Sequence, residues 1–116
     1  MGRYPALPLT LAGFSFGSRI ALRLGCSGVL GVKRYGACRI IAVGFPTVYK
    51  DRSFLEGCMV PRIFIQSTRD QFGPGEELRP LVEALPEPRQ LIWIAAQDHF
   101  FAGAVEQLEE SVFGLA

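Results

Sequence analysis

Four short apolar runs constrain this chain more than any other feature of it. Residues 7–12 (LPLTLA), 38–43 (CRIIAV), 62–67 (RIFIQS) and 90–95 (QLIWIA) are each about the length of a strand and apolar almost without a break. Continuous rather than alternating apolarity marks strands buried on both faces, the state of parallel strands joined by helical crossovers. Helix signals lie between and after them. From Ser18 onward, Ile20, Ala21 and Leu24 recur at helical spacing, with Gly25 expected as the C-cap. Residues 76–85 open with acidic side chains, which favour a helix N-terminus, and Pro86 and Pro88 close them. Val105, Leu108, Val112 and Phe113 share one face of a last helix over 105–113. The stretch 47–57 is more polar and carries no clear period. The expected fold class is α/β: an open, mostly parallel sheet of about four strands with helical crossovers, residues 1–116 forming a single domain.

Composition removes several classes of function. The chain has 116 residues, of which 49% are hydrophobic and 20% charged, which excludes disorder. Twelve Lys and Arg against eleven Asp and Glu leave no basic surplus for phosphates, which argues against nucleic acid as a partner. The longest uncharged apolar stretch, 40–48, falls far short of the roughly 18–20 residues that span a bilayer. Pro5 and Pro8 interrupt any signal-like apolar core, and Ala6 stands where a myristoylation motif needs Ser or Thr. A cytoplasmic location is expected, with no membrane partner. Cys26, Cys38 and Cys58 are odd in number and lack CxxC spacing, so buried reduced thiols are expected; with His99 the only histidine, no zinc ligand set of the usual kind assembles.

The first run ends in Gly13-Phe14-Ser15-Phe16-Gly17, which fits G-x-S-x-G, the nucleophile elbow. Chance alone produces such a match in roughly one chain in 25 of this length. Its context carries the weight, because a strand precedes it and a helix follows. Small residues flank the serine where the turn is tight, and the helix N-terminus together with the Phe16 N–H is aimed to stabilise an oxyanion.

A nucleophilic serine needs a base. A lone histidine is ordinarily a surface residue or one satisfied by its neighbours, but His99 follows the fourth strand as Ser15 follows the first. Parallel strands bring both loops to one edge of the sheet. Asp70 follows the third strand, so a serine, an acid and a base all emerge at the carboxyl end, where open α/β sheets build their sites. Asp98 competes as the acid, but as the immediate neighbour of His99 it needs an awkward backbone to reach the imidazole, and Asp70 is favoured. His99 would take the proton of Ser15, Asp70 would fix the imidazole tautomer, and an acyl-enzyme would form. The triad needs no metal or organic cofactor. Phe14, Phe100 and Phe101 flank it and are candidates for the substrate-binding surface, with Phe16, Phe45 and Phe72 open between pocket and core.

Three blocks, residues 9–17, 61–70 and 98–101, resemble the small serine α/β-hydrolases of the dienelactone-hydrolase-like branch. The resemblance implies Ser15, Asp70 and His99 as the triad and the Phe16 amide as one oxyanion donor. The chain order Ser, Asp, His is that of the superfamily. Ser67 stands where such proteins often have Gly, and Ala96-Gln97 replaces the usual Gly-Ala; neither change touches a triad side chain.

The resemblance covers only the C-terminal half of that fold. It implies that the first four strands lie outside this chain, with the loop that gives a second oxyanion amide; loss of one such donor costs roughly 10²- to 10³-fold in rate. The elbow strand, interior in the full fold, becomes an exposed apolar edge, and a homodimer or larger assembly through that edge is expected.

Two functional readings follow. In one, the chain is a serine hydrolase acting on small carboxylic esters or related acyl compounds, a small-molecule acyl substrate being its partner. In the other, it is a catalytically weak or inactive half-domain that folds by self-association. A nucleotide-binding domain is disfavoured, because no Lys follows Gly17 and no phosphate-loop spacing is present.

Overall fold

The computed structural model describes residues 9–26 and 38–115. In chain order the elements are β1 (Leu9–Phe14), α1 (Phe16–Cys26), β2 (Cys38–Val43), a 3₁₀ turn (Ser53–Leu55), β3 (Arg62–Ser67), α2 (Gly75–Glu83), β4 (Arg89–Ile94) and α3 (Val105–Leu115). The strands form one sheet in the order β1-β2-β3-β4, every pair parallel. Phe14 lies opposite Val43, Val43 opposite Ile65 and Ile65 opposite Ile92, so all four carboxyl ends reach the same edge. The expected four-stranded parallel sheet is the one observed.

β2 and β3 carry both cores. On one face α1 and α2 bury Ala21, Leu22, Leu78 and Val82 against Ile40, Ala42 and Phe64. On the other, α3 and the loop before it pack Leu108, Val112, Phe101 and Ala104 onto Ile41, Val43, Ile63 and Ile65. Neighbouring residues of one strand thus enter opposite cores, as a period of two requires. This is the physical reason for the unbroken apolar runs.

β1 departs from that pattern. Thr10, Ala12 and Phe14 are exposed, and among the described residues no β1 side chain joins the core beneath α3. The strand is also displaced along the chain: Gly13 and Phe14 pair with Ala42 and Val43, carrying the ladder into the elbow, while residues 7 and 8 lie outside the described residues.

Two further expectations change. Gly25 is not a cap but a buried residue within α1, where a Cβ would stand 2.4 Å from Ile40 Cδ1, so its lack of a side chain sets how closely helix and strand approach. The cysteines are not all reduced thiols: the end of α1 meets the residues after the 3₁₀ turn, and Cys26 and Cys58 form a disulfide with a Cα separation of 5.2 Å. Cys38 begins β2, and its side chain lies outside the described residues.

At the opposite end of the sheet from the carboxyl edge, Arg62 is fully buried. Its Nε donates to the Val60 carbonyl at 2.8 Å and its Nη2 to the carbonyls of Pro86 and Pro88. Burial lowers its pKa, and the Arg89 cation adds to the effect. No helix among the described residues is long and apolar enough to cross a membrane.

Candidate active site

The turn from β1 into α1 is tight enough to dictate its residues. Ser15 adopts φ +57°, the left-handed region, and its amide donates to the Val43 carbonyl at 2.8 Å. Its own carbonyl accepts from the Ser18 amide at 2.9 Å and from the Ser18 hydroxyl. A Cβ at Gly13 would stand 2.2 Å from the Gly17 carbonyl oxygen, so no side chain fits there. Gly17 is different from the expectation, because a Cβ at that position would meet nothing within 4 Å. Only the first glycine of the motif is required by space. Phe16 is the first residue of α1, so its N–H belongs to the turn that has no intrahelical acceptor and carries the positive end of the helix dipole.

The loops after β3 and β4 bring the other two residues to this turn. His99 Nε2 lies 2.8 Å from Ser15 Oγ, across 84 residues of sequence. His99 Nδ1 lies 2.6 Å from Asp70 Oδ2. Both His99 and Asp70 are almost completely buried. Asp70 Oδ1 accepts from the amides of Phe72 and Gly73, each at 2.8 Å, which holds the carboxyl group still and leaves Oδ2 for the imidazole. The His99 amide donates to Gln71 Oε1 at 2.9 Å, tying the base loop to the acid loop. Asp98 turns back on its own loop, where Oδ1 accepts from Phe100 and Ala102 at 3.0 and 3.1 Å. Of the two carboxylates, Asp70 is the one that contacts the imidazole.

One polar side chain that the sequence did not single out supports these loops. Gln66 is fully buried, its Oε1 accepting from the Phe45 amide and its Nε2 donating to the carbonyls of Phe45 and Gly73. It links the segment after β2 to the acid loop. In the sequence it reads as one more residue of an apolar strand.

Rings enclose the histidine. Phe72, Phe14 and Phe100 lie 4.9, 5.2 and 5.2 Å from the His99 ring, centre to centre. Beside Ser15 and His99 is a cavity of about 200 Å³ lined by Phe16, Pro46, Val48, Tyr49, Phe72 and Phe100. Phe100, a candidate for the substrate-binding surface, lines this cavity. Phe14 packs against the imidazole but does not line the cavity, and Phe101 is fully buried in the core beneath α3, so it faces away from the site. Phe45 belongs to the core, edge-on to Phe64 at 5.8 Å.

Pro46, Val48 and Tyr49 were not anticipated. Their signal was positional: they follow β2 at the edge of the sheet to which the motif residues also point. Behind Tyr49 lies Arg19, its guanidinium 5.1 Å from the Tyr49 ring centre and 5.2 Å from that of Phe54. Arg19 Nη2 donates to the Asp51 carbonyl at 2.9 Å. Among the described residues no group of three or more His, Cys, Asp or Glu could hold a metal ion.

Known structures share this frame. An alpha-beta serine hydrolase homologue from Coxiella burnetii superposes with a TM-score of 0.74 at 27% identity, covering 92% of this chain and 49% of that one. A serine hydrolase without a lid from Xanthomonas campestris gives 0.70 at 24% identity, over 90% of this chain and 44% of that one. The esterase domain of a Rhodothermus marinus protein gives 0.66 at 15% identity, over 98% and 61%. The chain therefore spans about half the length of the first two structures and somewhat more of the third. No curated protein matches it. The sequence profile described as the alpha/beta hydrolase domain matches residues 3–111, nearly the whole chain. By that match, and by the parallel sheet with its elbow turn, the chain belongs to the alpha/beta hydrolase family.

Proposed function

We propose that this chain is a serine hydrolase acting on small carboxylic esters or related acyl compounds through Ser15, His99 and Asp70. The observation that supports it most is the unbroken line of contacts from Ser15 Oγ to His99 Nε2 at 2.8 Å and from His99 Nδ1 to Asp70 Oδ2 at 2.6 Å. A carboxylate acceptor at Nδ1 keeps the proton there, which leaves the Nε2 lone pair for the serine hydroxyl. As Oγ bonds to the ester carbonyl carbon, its proton passes to Nε2 and the carbonyl oxygen becomes an oxyanion beside the Phe16 N–H. The carbon–alkoxy bond then breaks, and Nε2 returns the proton to the departing alcohol. Water attacks the acyl carbon and gives its proton to Nε2. The acyl–Oγ bond breaks, the carboxylic acid leaves, and Oγ is reprotonated.

Treatment with a fluorophosphonate probe followed by intact-mass analysis tests the reading. One adduct on the native chain, mapped to Ser15 and lost in Ser15→Ala and His99→Ala, is the expected result. No adduct on a folded sample would overturn it and leave the second reading, a weak or inactive half-domain. That alternative draws on the exposed residues of β1 and on the fraction of each related structure the chain spans.

We also infer self-association through β1. Among the described residues it is an end strand of the sheet, and an unpaired strand edge is a template for pairing. A two-fold axis relating two such edges makes the pairing antiparallel, so the two Ser15 side chains would stand at opposite ends of a continuous sheet.

A further inference from the structure

Resting on the serine hydrolase reading, we propose that the substrate group held beside Ser15 is a short, uncharged, apolar chain, and that Tyr49, positioned by Arg19, limits its length. The cavity supports both halves of this statement. Apart from Ser15 and His99 its lining is Phe16, Pro46, Val48, Tyr49, Phe72 and Phe100, without an acidic or basic side chain. At about 200 Å³ it is smaller than the roughly 300–1,000 Å³ of pockets that take drug-sized ligands. Phe16, Val48, Tyr49, Phe72 and Phe100 are exposed, so apolar surface is left bare beside the serine.

Charge points the same way. The ionised group nearest the base is the buried Asp70 carboxylate, which would repel a carboxylate on the ligand. Arg19, behind the Tyr49 ring, is 8% exposed and lies over the rings of Tyr49 and Phe54, with Nη2 donating to the Asp51 carbonyl. It does not line the cavity. Its Nη1 is buried without a hydrogen-bond partner, as expected of a guanidinium used for stacking. Phe16, one turn before Arg19 on α1, meets Tyr49 edge-on at 5.6 Å. Phe16 and Arg19 thus both hold the Tyr49 ring against the elbow helix, where it forms one wall of the cavity.

Ligand-detected NMR on Ser15→Ala measures binding without turnover, using ethyl acetate, ethyl butyrate and the half-ester monoethyl succinate. Each buried methylene adds about fourfold in affinity, so ethyl butyrate, with two more, should bind about fifteenfold more tightly than ethyl acetate. Monoethyl succinate, similar in length but charged, should bind at least tenfold more weakly than ethyl butyrate. Adding Tyr49→Ala should admit ethyl octanoate and reduce the butyrate-to-acetate preference to within about threefold. Adding Arg19→Met should reduce the same preference while ethyl acetate binding is kept. Equal or tighter binding of the succinate half-ester overturns the uncharged class, and preferences unmoved by Tyr49→Ala overturn the wall. Equal loss of both neutral esters in Arg19→Met overturns its positioning role. Failure of the underlying reading is distinct, because it appears as absence of a Ser15 adduct on the native chain whatever these affinities are.

Discussion

Gly44 and His99 touch through the atom that Gly44 lacks. Gly44 has φ +66°, and a Cβ there would stand 3.1 Å from His99 Cε1 and 3.3 Å from Phe14 Cε2. The carboxyl end of β2 thus limits the space in which the imidazole can sit, although Gly44 belongs to no catalytic motif. Gly44→Ala meets both a strained backbone and a displaced base. Phosphonate labelling of Ser15 should slow at least tenfold, with a loss of stability of about 1–2 kcal/mol. Labelling at the native rate would show that the imidazole has room to move.

Asp70→Asn should lower ester turnover by about 10³- to 10⁴-fold while leaving the fold intact. An amide facing Nδ1 can present its NH2 group as a donor, which selects the tautomer whose Nε2 carries the proton and cannot accept from Ser15. The control is Asp98→Asn, whose amide oxygen can still accept from Phe100 and Ala102, so turnover should stay within about twofold. Equal losses in the two variants would assign the acid wrongly.

Gln66→Leu removes a buried amide that satisfies one backbone N–H and two carbonyls. Leaving such groups unpaired costs about 1–3 kcal/mol each, and a folded fraction that drops sharply in urea titration is the expected outcome. An unchanged midpoint would mean that other partners replace the amide.

Reduction of the Cys26–Cys58 bond, which closes a span of 32 residues, should destabilise the chain by about 3–4 kcal/mol. Denaturant unfolding with and without dithiothreitol measures this, and Cys58→Ser should reproduce the reduced value. Identical curves would show that the bond adds nothing. Disulfides of this kind persist in oxidising compartments.

Sizing with light scattering should give a dimer or larger species at micromolar concentration, and a charge placed on an exposed position of β1, Ala12→Lys, should shift it toward monomer. A strictly monomeric native chain would remove β1 as an interface.

The fold was legible because residues 40–43 of β2 and 63–65 of β3 are buried on both faces, which makes their apolar runs unmistakable. The meeting of Ser15, Asp70 and His99 was legible for a related reason: parallel strands send them to one edge, and topology supplies proximity that spacing alone cannot. The pocket was harder. Val48 and Tyr49 sit in a stretch without period, where a side chain's direction is set by loop packing such as that of Arg19 on the Tyr49 ring. Phe101 was misjudged because adjacent Phe100 and Phe101 look equivalent in sequence, whereas φ +60° at Phe101 accompanies its burial in the opposite core. Cys26 and Cys58 could not be paired without knowing that α1 ends beside the residues that follow the 3₁₀ turn.

The disulfide has a further consequence for how this chain would come apart. β2 lies wholly within the covalent ring closed by Cys26 and Cys58. A protease cutting anywhere inside that ring would produce two polypeptides that still migrate as one on a non-reducing gel, the elbow fragment remaining tethered to the fragment that carries the acid and the base. Only thiol treatment would release them, so damage to the centre of the sheet would be invisible to mass-based separation until the sample is reduced.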